Sequence, residues 1–283
     1  MMTGQKATMV FVDESIHDGL GFVVTAMVVA GPEIEAEVAK ALEESGLVPG
    51  VDEFKSGAPM AADPRMRRAR ESILEIAATG TKIAILISPA ADRHRLGQEV
   101  LRALETVARR NGLGCAGLCV VLDQGMFRSR ALADAALASA QFEGDVAIEP
   151  EQDSRRRLGL QVADAVAHTV AQILRQELAQ QKKTVTLGSE SGYAGGTEVE
   201  LGWVFLMHLR YAFFTRPLAY SHLGDAIDSG RNPIVIGPDD DPVEIGQHPD
   251  LLGWGVLLAD TVEAQVKAAA EAVFTKIWLG CTH

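Results

Sequence analysis

Cysteine is nearly absent from this chain: Cys115, Cys119 and Cys281 are the only three in 283 residues. That excludes a disulfide framework. It also argues against zinc, because no second Cys/His pair of the right spacing accompanies Cys115 and Cys119. Both are expected on one face of a core strand. Basic charge is scarce as well: 26 Lys and Arg stand against 38 Asp and Glu, a formal net charge of −12. This argues against a broad basic groove. It does not argue against a local one, since carboxylates gathered round a cation count as negative yet are neutralised in use. No long apolar run is present. The most apolar late stretch, 201–214, is broken by His208 and Arg210 and is too short to span a bilayer. The opening Met1-Met2-Thr3-Gly4-Gln5-Lys6 lacks the apolar core of a signal peptide. A cytoplasmic location with no membrane partner is therefore expected. Gly-Lys-Ser/Thr phosphate loops and Gly-x-Ser-x-Gly elbows do not occur. Gly19-x-Gly21 lies in a hairpin, so it is no dinucleotide fingerprint.

What is present suits a folded α/β protein. Apolar residues make up 47% of the chain, enough for a sizeable core in one large domain or two. The pattern predicts strands at 7–15 and 21–30, joined tightly through His17-Asp18-Gly19. Helical spacing follows over 33–45. A short irregular stretch at 50–57 holds Glu53 and Lys55. Asp63-Pro64 starts a helix that Gly80 stops. Strands are expected at 82–88, 115–123 and 145–149, with helices at 96–111, 128–140 and 158–181. A hairpin followed by alternating helices and strands predicts a mixed sheet with helices on its faces. The polar, glycine-rich 188–196 reads as a boundary, dividing the chain into residues 1–185 and a mostly helical extension, 186–283. Helices are expected there at 200–214 and 251–278, around a Pro/Asp-rich loop at 238–242.

Acids stand at the ends of these buried runs. Thr8-Met9-Val10-Phe11-Val12 stops at Asp13-Glu14, and Leu118-Cys119-Val120-Val121-Leu122 stops at Asp123. Asp164 lies in Leu160-Gln161-Val162-Ala163-Asp164-Ala165-Val166-Ala167, which is apolar on nearly every other side. Continuous apolar runs read as strands covered on both faces, and an unpaired carboxylate there is costly. If the two strands run parallel and adjacent, Asp13 and Asp123 emerge at one sheet edge, and a helix bearing Asp164 can pack against it. Three bare carboxylates would repel by about 4 kcal/mol per pair at roughly 4 Å and an effective dielectric near 20. Either one stays protonated or a hard cation binds. Oxygen-only ligands favour Mg2+ or Mn2+ over zinc. Such a centre can activate water and stabilise a leaving phosphate oxygen.

The motifs also resemble a known family. Phe11-Val12-Asp13-Glu14-Ser15, Glu53-Phe54-Lys55, Leu122-Asp123, Asp153-Ser154 and Gly159-Leu160-Gln161-Val162-Ala163-Asp164 are together similar to the bacterial and phage family called domain of unknown function 3800. Its marks are an N-terminal Asp-Glu pair, here Asp13 and Glu14, and a C-terminal Gln-x-x-Asp, here Gln161 and Asp164. The resemblance covers roughly residues 7–180. The layout further resembles the ribonuclease H-like superfamily of resolvases, transposases and integrases. That superfamily puts one aspartate on the first strand, one on or after the fourth, and a last acid on the final helix. Asp13, Asp123 and Asp164 match those places; Glu14 or Glu53 is the available counterpart of a further acid. The resemblance implies a ribonuclease H-like α/β domain that hydrolyses phosphodiesters with Mg2+ or Mn2+ held by Asp13, Asp123 and Asp164, assisted by Glu14. Nucleic acid is the implied partner.

Lys55, Gln161 and Arg155 are the candidate substrate-binding residues. Lys55 can meet a phosphate or pair with a site acid. Gln161 can bond backbone or orient a carboxylate, and Arg155 opens the run Arg155-Arg156-Arg157 just before the helix of Asp164. Gln161, Asp164 and His168 share a helix face; His168 is expected to be a buried helix histidine. A different class of function fits the same residues: an inactive ribonuclease H-like domain serving as an interaction module in a mobile-element or phage-defence setting. Leu201, Trp203, Phe205, Phe213 and Phe214 would then offer a homo-oligomer surface, or else be plain core. A phosphatase-like hydrolase is disfavoured, because Ser15 stands where an Asp-x-Asp motif needs its second acid.

Overall fold

Runs that are apolar on both sides fold into central strands because water must be excluded from both faces. In the computed structural model, which describes residues 8–58, 63–115, 117–179, 182–188, 195–214, 235–236, 242–243 and 255–274, they do so. β1 (Thr8–His17) and β2 (Phe22–Ala30) pair antiparallel from Met9↔Ala30 to His17↔Phe22. A single 3-10 turn at Asp18–Leu20 joins them, and Gly21 exits it at φ +75°, where a Cβ would be strained. The first strand thus runs past Asp13-Glu14, to His17. α1 (Ile34–Ser45) and α2 (Pro64–Gly80) follow; Asp63 caps α2 by accepting from Arg65 N at 2.9 Å, with Pro64 in the first turn. Next come β3 (Lys82–Pro89) and α3 (Leu96–Asn111). β4 (Leu118–Asp123), α4 (Arg130–Ser139), β5 (Val146–Gln152) and α5 (Gly159–Leu178) complete this part. Cys115 precedes β4 instead of lying on it.

Later come a short pair, β6 (Thr184–Thr186) and β7 (Glu198–Glu200), and α6 (Leu201–Leu209). A second short pair follows, β8 (Val235–Ile236) with β9 (Pro242–Val243), then β10 (Val256–Leu258) and α7 (Ala264–Phe274). The expected helix over 251–278 is therefore a strand and a shorter helix, its first four and last four residues lying outside the described ones. Most of the Pro/Asp-rich loop at 238–242 lies outside them too.

The sheet has the order β10-β3-β2-β1-β4-β5. β2 is antiparallel to β1 and β3, whereas β1, β4 and β5 run parallel, as do β3 and β10. This is the mixed sheet with flanking helices that the pattern predicts. Strand alternation sorts the core into two layers. Phe11, Val24, Val28, Ile83, Ile85, Ile87 and Val121 face α1, α2, α5, α6 and α7. Val10, Val12, Met27, Ala84, Leu86, Val120 and Leu122 face α3 and α4. Phe213 is buried in the first layer and Phe214 in the second, so these two apolar residues are core and offer no oligomer surface. Among the described residues, no helix is long and apolar enough to cross a membrane.

Candidate carboxylate centre

β1 and β4 are adjacent and parallel, in register from Thr8↔Leu118 to Val12↔Leu122. One residue further, the same register sets Asp13 beside Asp123. Neighbouring strands lie about 4.8 Å apart, and residues in register present the same face. Asp13 shares the parity of Phe11, and Asp123 that of Val121, so both belong to the layer that α5 covers. α5 sits close to β1 because residue 159 is glycine: a Cβ there would come within 2.5 Å of the Phe11 ring. Asp164, less than two turns along α5, is thereby carried to the two strand acids. Glu14 has the parity of Val10 and Val12, so alternation sends it toward the α3–α4 layer, behind the plane of Asp13.

A fourth segment reaches the same spot. Phe54 is 1% exposed and anchors the irregular stretch before α2 in the core. Gln161, wholly buried, clasps it: Phe54 N donates to Gln161 Oε1 at 3.1 Å, and Gln161 Nε2 donates to the Ser154 carbonyl at 3.0 Å. Ser154 Oγ donates to Glu53, and Lys55 Nζ pairs with Glu53 Oε1 at 2.9 Å. Ser56 N donates to Asp164 Oδ2 at 2.7 Å. Gln161 therefore ties backbone to backbone. Wholly buried, with its carbonyl and one amide N–H engaged, it positions the 53–56 segment, and the expected substrate contact has no exposed atom behind it. Lys55, exposed, stands in the field of Asp13 and Asp123. Arg155 folds back on Asp153 through Nε at 3.0 Å and Nη2 at 2.8 Å, and Arg157 pairs with Glu35 and Glu149. Two of the three arginines of the run are thus paired with local carboxylates.

The electrostatics follow from this crowding. Asp13 is 6% exposed, and its Oδ1 accepts the Glu14 N–H at 2.7 Å. Burial first, then the charges of Asp123, Asp164 and Glu14, push its carboxyl well above the usual range. Asp164 and Asp123 are raised as well, chiefly by burial; hydrogen bonds from Ser56 and Gln124, respectively, and the charge of Lys55 oppose the rise. Glu14 rises to about 7, from burial and then from Asp123, with Arg93 opposing. Its Oε2 is buried with no hydrogen-bond partner, an orphan that native interiors rarely tolerate. Burial lowers Lys55, but the hydrogen bond and charge of Glu53, with Asp13 and Asp123, outweigh it and hold the ammonium protonated. Glu53 acts on Asp123 and Asp164 alike, making it a fifth acid of the cluster. His168 is lowered to about 4 by burial and then by Arg70, His17 and Arg175.

Sequence reasoning missed one residue altogether. Glu151 is the single non-glycine with positive φ (+58°) among the described residues. Its carboxylate accepts from Gly125 N at 3.1 Å and from Phe127 N at 3.1 Å, so it grips the turn that follows Asp123. It sits where the β4–β5 register shifts between Val121 and Asp123, a bulge that re-aims the strand end. An acid next to a bulge is not marked by any periodicity.

The donors suit a hard divalent cation: all are carboxylate oxygens, mostly buried, and one lacks any partner. They do not close into a cage. Among the described residues, no group of three or more His, Cys, Asp and Glu is arranged to hold a metal ion. No protein-family model matches the chain, and no curated protein matches it. Among solved structures it is similar to the ribonuclease H2 from Pyrococcus horikoshii OT3, with 16% identity and a TM-score of 0.41, over 62% of this chain and 76% of that one. A likeness at this level carries no argument about activity.

Proposed function

We propose that the chain hydrolyses phosphodiester bonds of nucleic acid with the help of Mg2+ or Mn2+, as a ribonuclease H-like nuclease. The observation that carries this reading is the strand register that sets Asp13 beside Asp123 under the helix of Asp164. Asp13, Asp123 and Asp164 would hold the cation, with Glu14 supporting Asp13 from behind. A bound cation supplies an activated water and neutralises charge on the phosphate. The remaining work falls to the chain itself. The carboxylates, whose affinity for protons burial raises, would have to give up any proton they hold in order to take a cation. Lys55 offers its ammonium to a substrate phosphate at the rim. Gln161 and Phe54 fix the 53–56 segment, so Ser56 N–H keeps Asp164 oriented. The division into residues 1–185 and 186–283 and a cytoplasmic setting belong to the same proposal, which uses only the first part for chemistry.

Titration calorimetry with magnesium and manganese tests it, alongside cleavage of DNA and RNA oligonucleotides. Binding by the wild type and none by Asp13→Asn/Asp164→Asn is the expected result. Equal heats from the two proteins would end the proposal. The lack of a closed three-ligand group favours one other reading, an inactive domain of the same fold used for protein interaction. It predicts no cation binding and no cleavage by the wild type.

A further inference from the structure

β1 and α5 lie face to face, and a polar stripe runs along both. On β1, Asp13, Ser15 and His17 share the parity of Phe11, the residue that Gly159 of α5 approaches. On α5, Asp164, His168, Gln172 and Arg175 follow at spacings of four, four and three, one helix face. The stripe begins acidic and turns basic. Gln172 Nε2 lies 3.4 Å from His168 Nε2, and Arg175 Nη1 donates to Gln172 Oε1 at 3.5 Å. Ser15 Oγ lies 3.1 Å from His17 Nε2.

Arg70 of α2 joins from the side. Its guanidinium lies over the Phe205 ring, 5.4 Å from the centroid. It is half-buried, and among the described residues it makes no hydrogen bond or ion pair. The acid whose charge reaches it is Asp164, at the head of the stripe. The charges of Arg70, His17 and Arg175 all bear on His168, and that of Arg175 bears on His17. Beyond Asp164, then, the stripe holds the two arginine cations, Arg70 and Arg175, and the imidazoles of His168 and His17, which burial keeps from protonating readily; the carboxylate of Glu263 lies off the stripe's far end, against Gly21 of the hairpin. A half-buried guanidinium with no protein acceptor keeps its donors open to water or to an anion. Guanidinium groups suit phosphate, which they meet with two donors at once.

We infer that Arg70, His168 and Arg175, with His17 at the rim, form a phosphate-binding seam that holds the backbone of a nucleic-acid strand leading away from the carboxylate centre. This rests on the nuclease reading and adds the path of the strand. His168 is one turn from Asp164, about 6 Å along the helix, and Arg175 is about 16 Å away. That is the rise of roughly five stacked nucleotides. A seam this narrow agrees with an acidic chain that has no broad basic groove.

The test is fluorescence anisotropy of the full chain with a labelled single strand, as DNA and as RNA, in calcium and at salt from about 50 to 200 mM. Arg70→Gln/Arg175→Gln should bind roughly tenfold more weakly at every sequence. Its plot of log Kd against log salt should flatten by about 1.4, for two contacts on a single strand. Arg70→Lys/Arg175→Lys should recover most of the affinity. Arg175→Gln alone, at an exposed position that cannot compromise folding, should show part of the loss. Arg109→Gln/Arg130→Gln, on the α3–α4 side, should bind as the wild type does. Wild-type affinity and slope in the double glutamine variant would overturn the seam, as would an equally tight complex with an uncharged peptide nucleic acid. If that variant binds normally while the wild type still cuts the strand in magnesium, only the seam falls. If the wild type binds no strand, the seam and the nuclease reading fall together.

Discussion

Glu14→Gln should make the protein more stable, by an amount that grows as pH rises from 4.5 to about 7 and is full above that. Glu14 carries a buried oxygen with no hydrogen-bond partner, beside the field of Asp123. Its carboxyl is pushed from 4.5 to about 7. Each pH unit of that rise is about 1.4 kcal/mol, so ionised Glu14 opposes folding by about 3 kcal/mol at pH 8. The folded state binds the proton more tightly than the unfolded chain. Stability linked to Glu14 is therefore full below pH 4.5 and is lost as pH rises through about 7. Glutamine keeps the shape and removes the charge. Urea unfolding in EDTA should show the variant about 2–3 kcal/mol more stable at pH 8, and nearly level with the wild type at pH 4.5. The slope of wild-type stability between those limits should be reduced without vanishing, since Asp13, Asp123 and Asp164 are raised too. Adding magnesium should narrow the gap between the two proteins, because a cation offsets the same repulsion. A variant no more stable than the wild type at pH 8, or one with an unchanged pH slope, would refute the account of the crowded carboxylates.

Gln161→Leu should cost about 2–4 kcal/mol in denaturant titrations, because it orphans Phe54 N–H and the Ser154 carbonyl together. Gly159→Ala should cost about 1–3 kcal/mol by overpacking the Phe11 ring, and Phe11→Leu in the same chain should recover part of the loss in thermal melts. Glu151→Ala should free the turn after Asp123; faster amide exchange at Gly125 and Phe127 is the measurement, and unchanged exchange would count against its grip.

The strands were legible because their composition admits one solution. Thr8–Val12 and Phe22–Ala30 are apolar on both sides, so they had to be central, and the tight link between them had to be a hairpin. The adjacency of β1 and β4 was legible only as a condition on Asp13 and Asp123, and the register meets it. A charge run does not reveal its partners: Arg155 pairs with Asp153, two residues away. Gln161 was visible as a motif, but its partners are 107 residues back and 7 residues back in the chain, and no local pattern encodes such a clasp. The strand Val256–Leu258 was absorbed into a helix because three apolar residues carry no period of their own. Which strand edge they would meet is settled by tertiary contact alone.

The outer edge of β3 is covered by chain from the last third of the sequence. Ile83 N donates to the Ala212 carbonyl and Ile85 N to that of Gly255, each at 2.7 Å, while Phe214 N and Ala259 N reach back to Ile83 O and Ile87 O at 3.0 and 2.9 Å. Two stretches from the last third of the chain thus zip shut a border that would otherwise recruit strands from other molecules. A protein cut near residue 185 would keep every carboxylate of the centre yet present that raw, sticky margin to its neighbours, so clumping in such a fragment would report a missing hem, with no bearing on the chemistry two strands away, between β1 and β4.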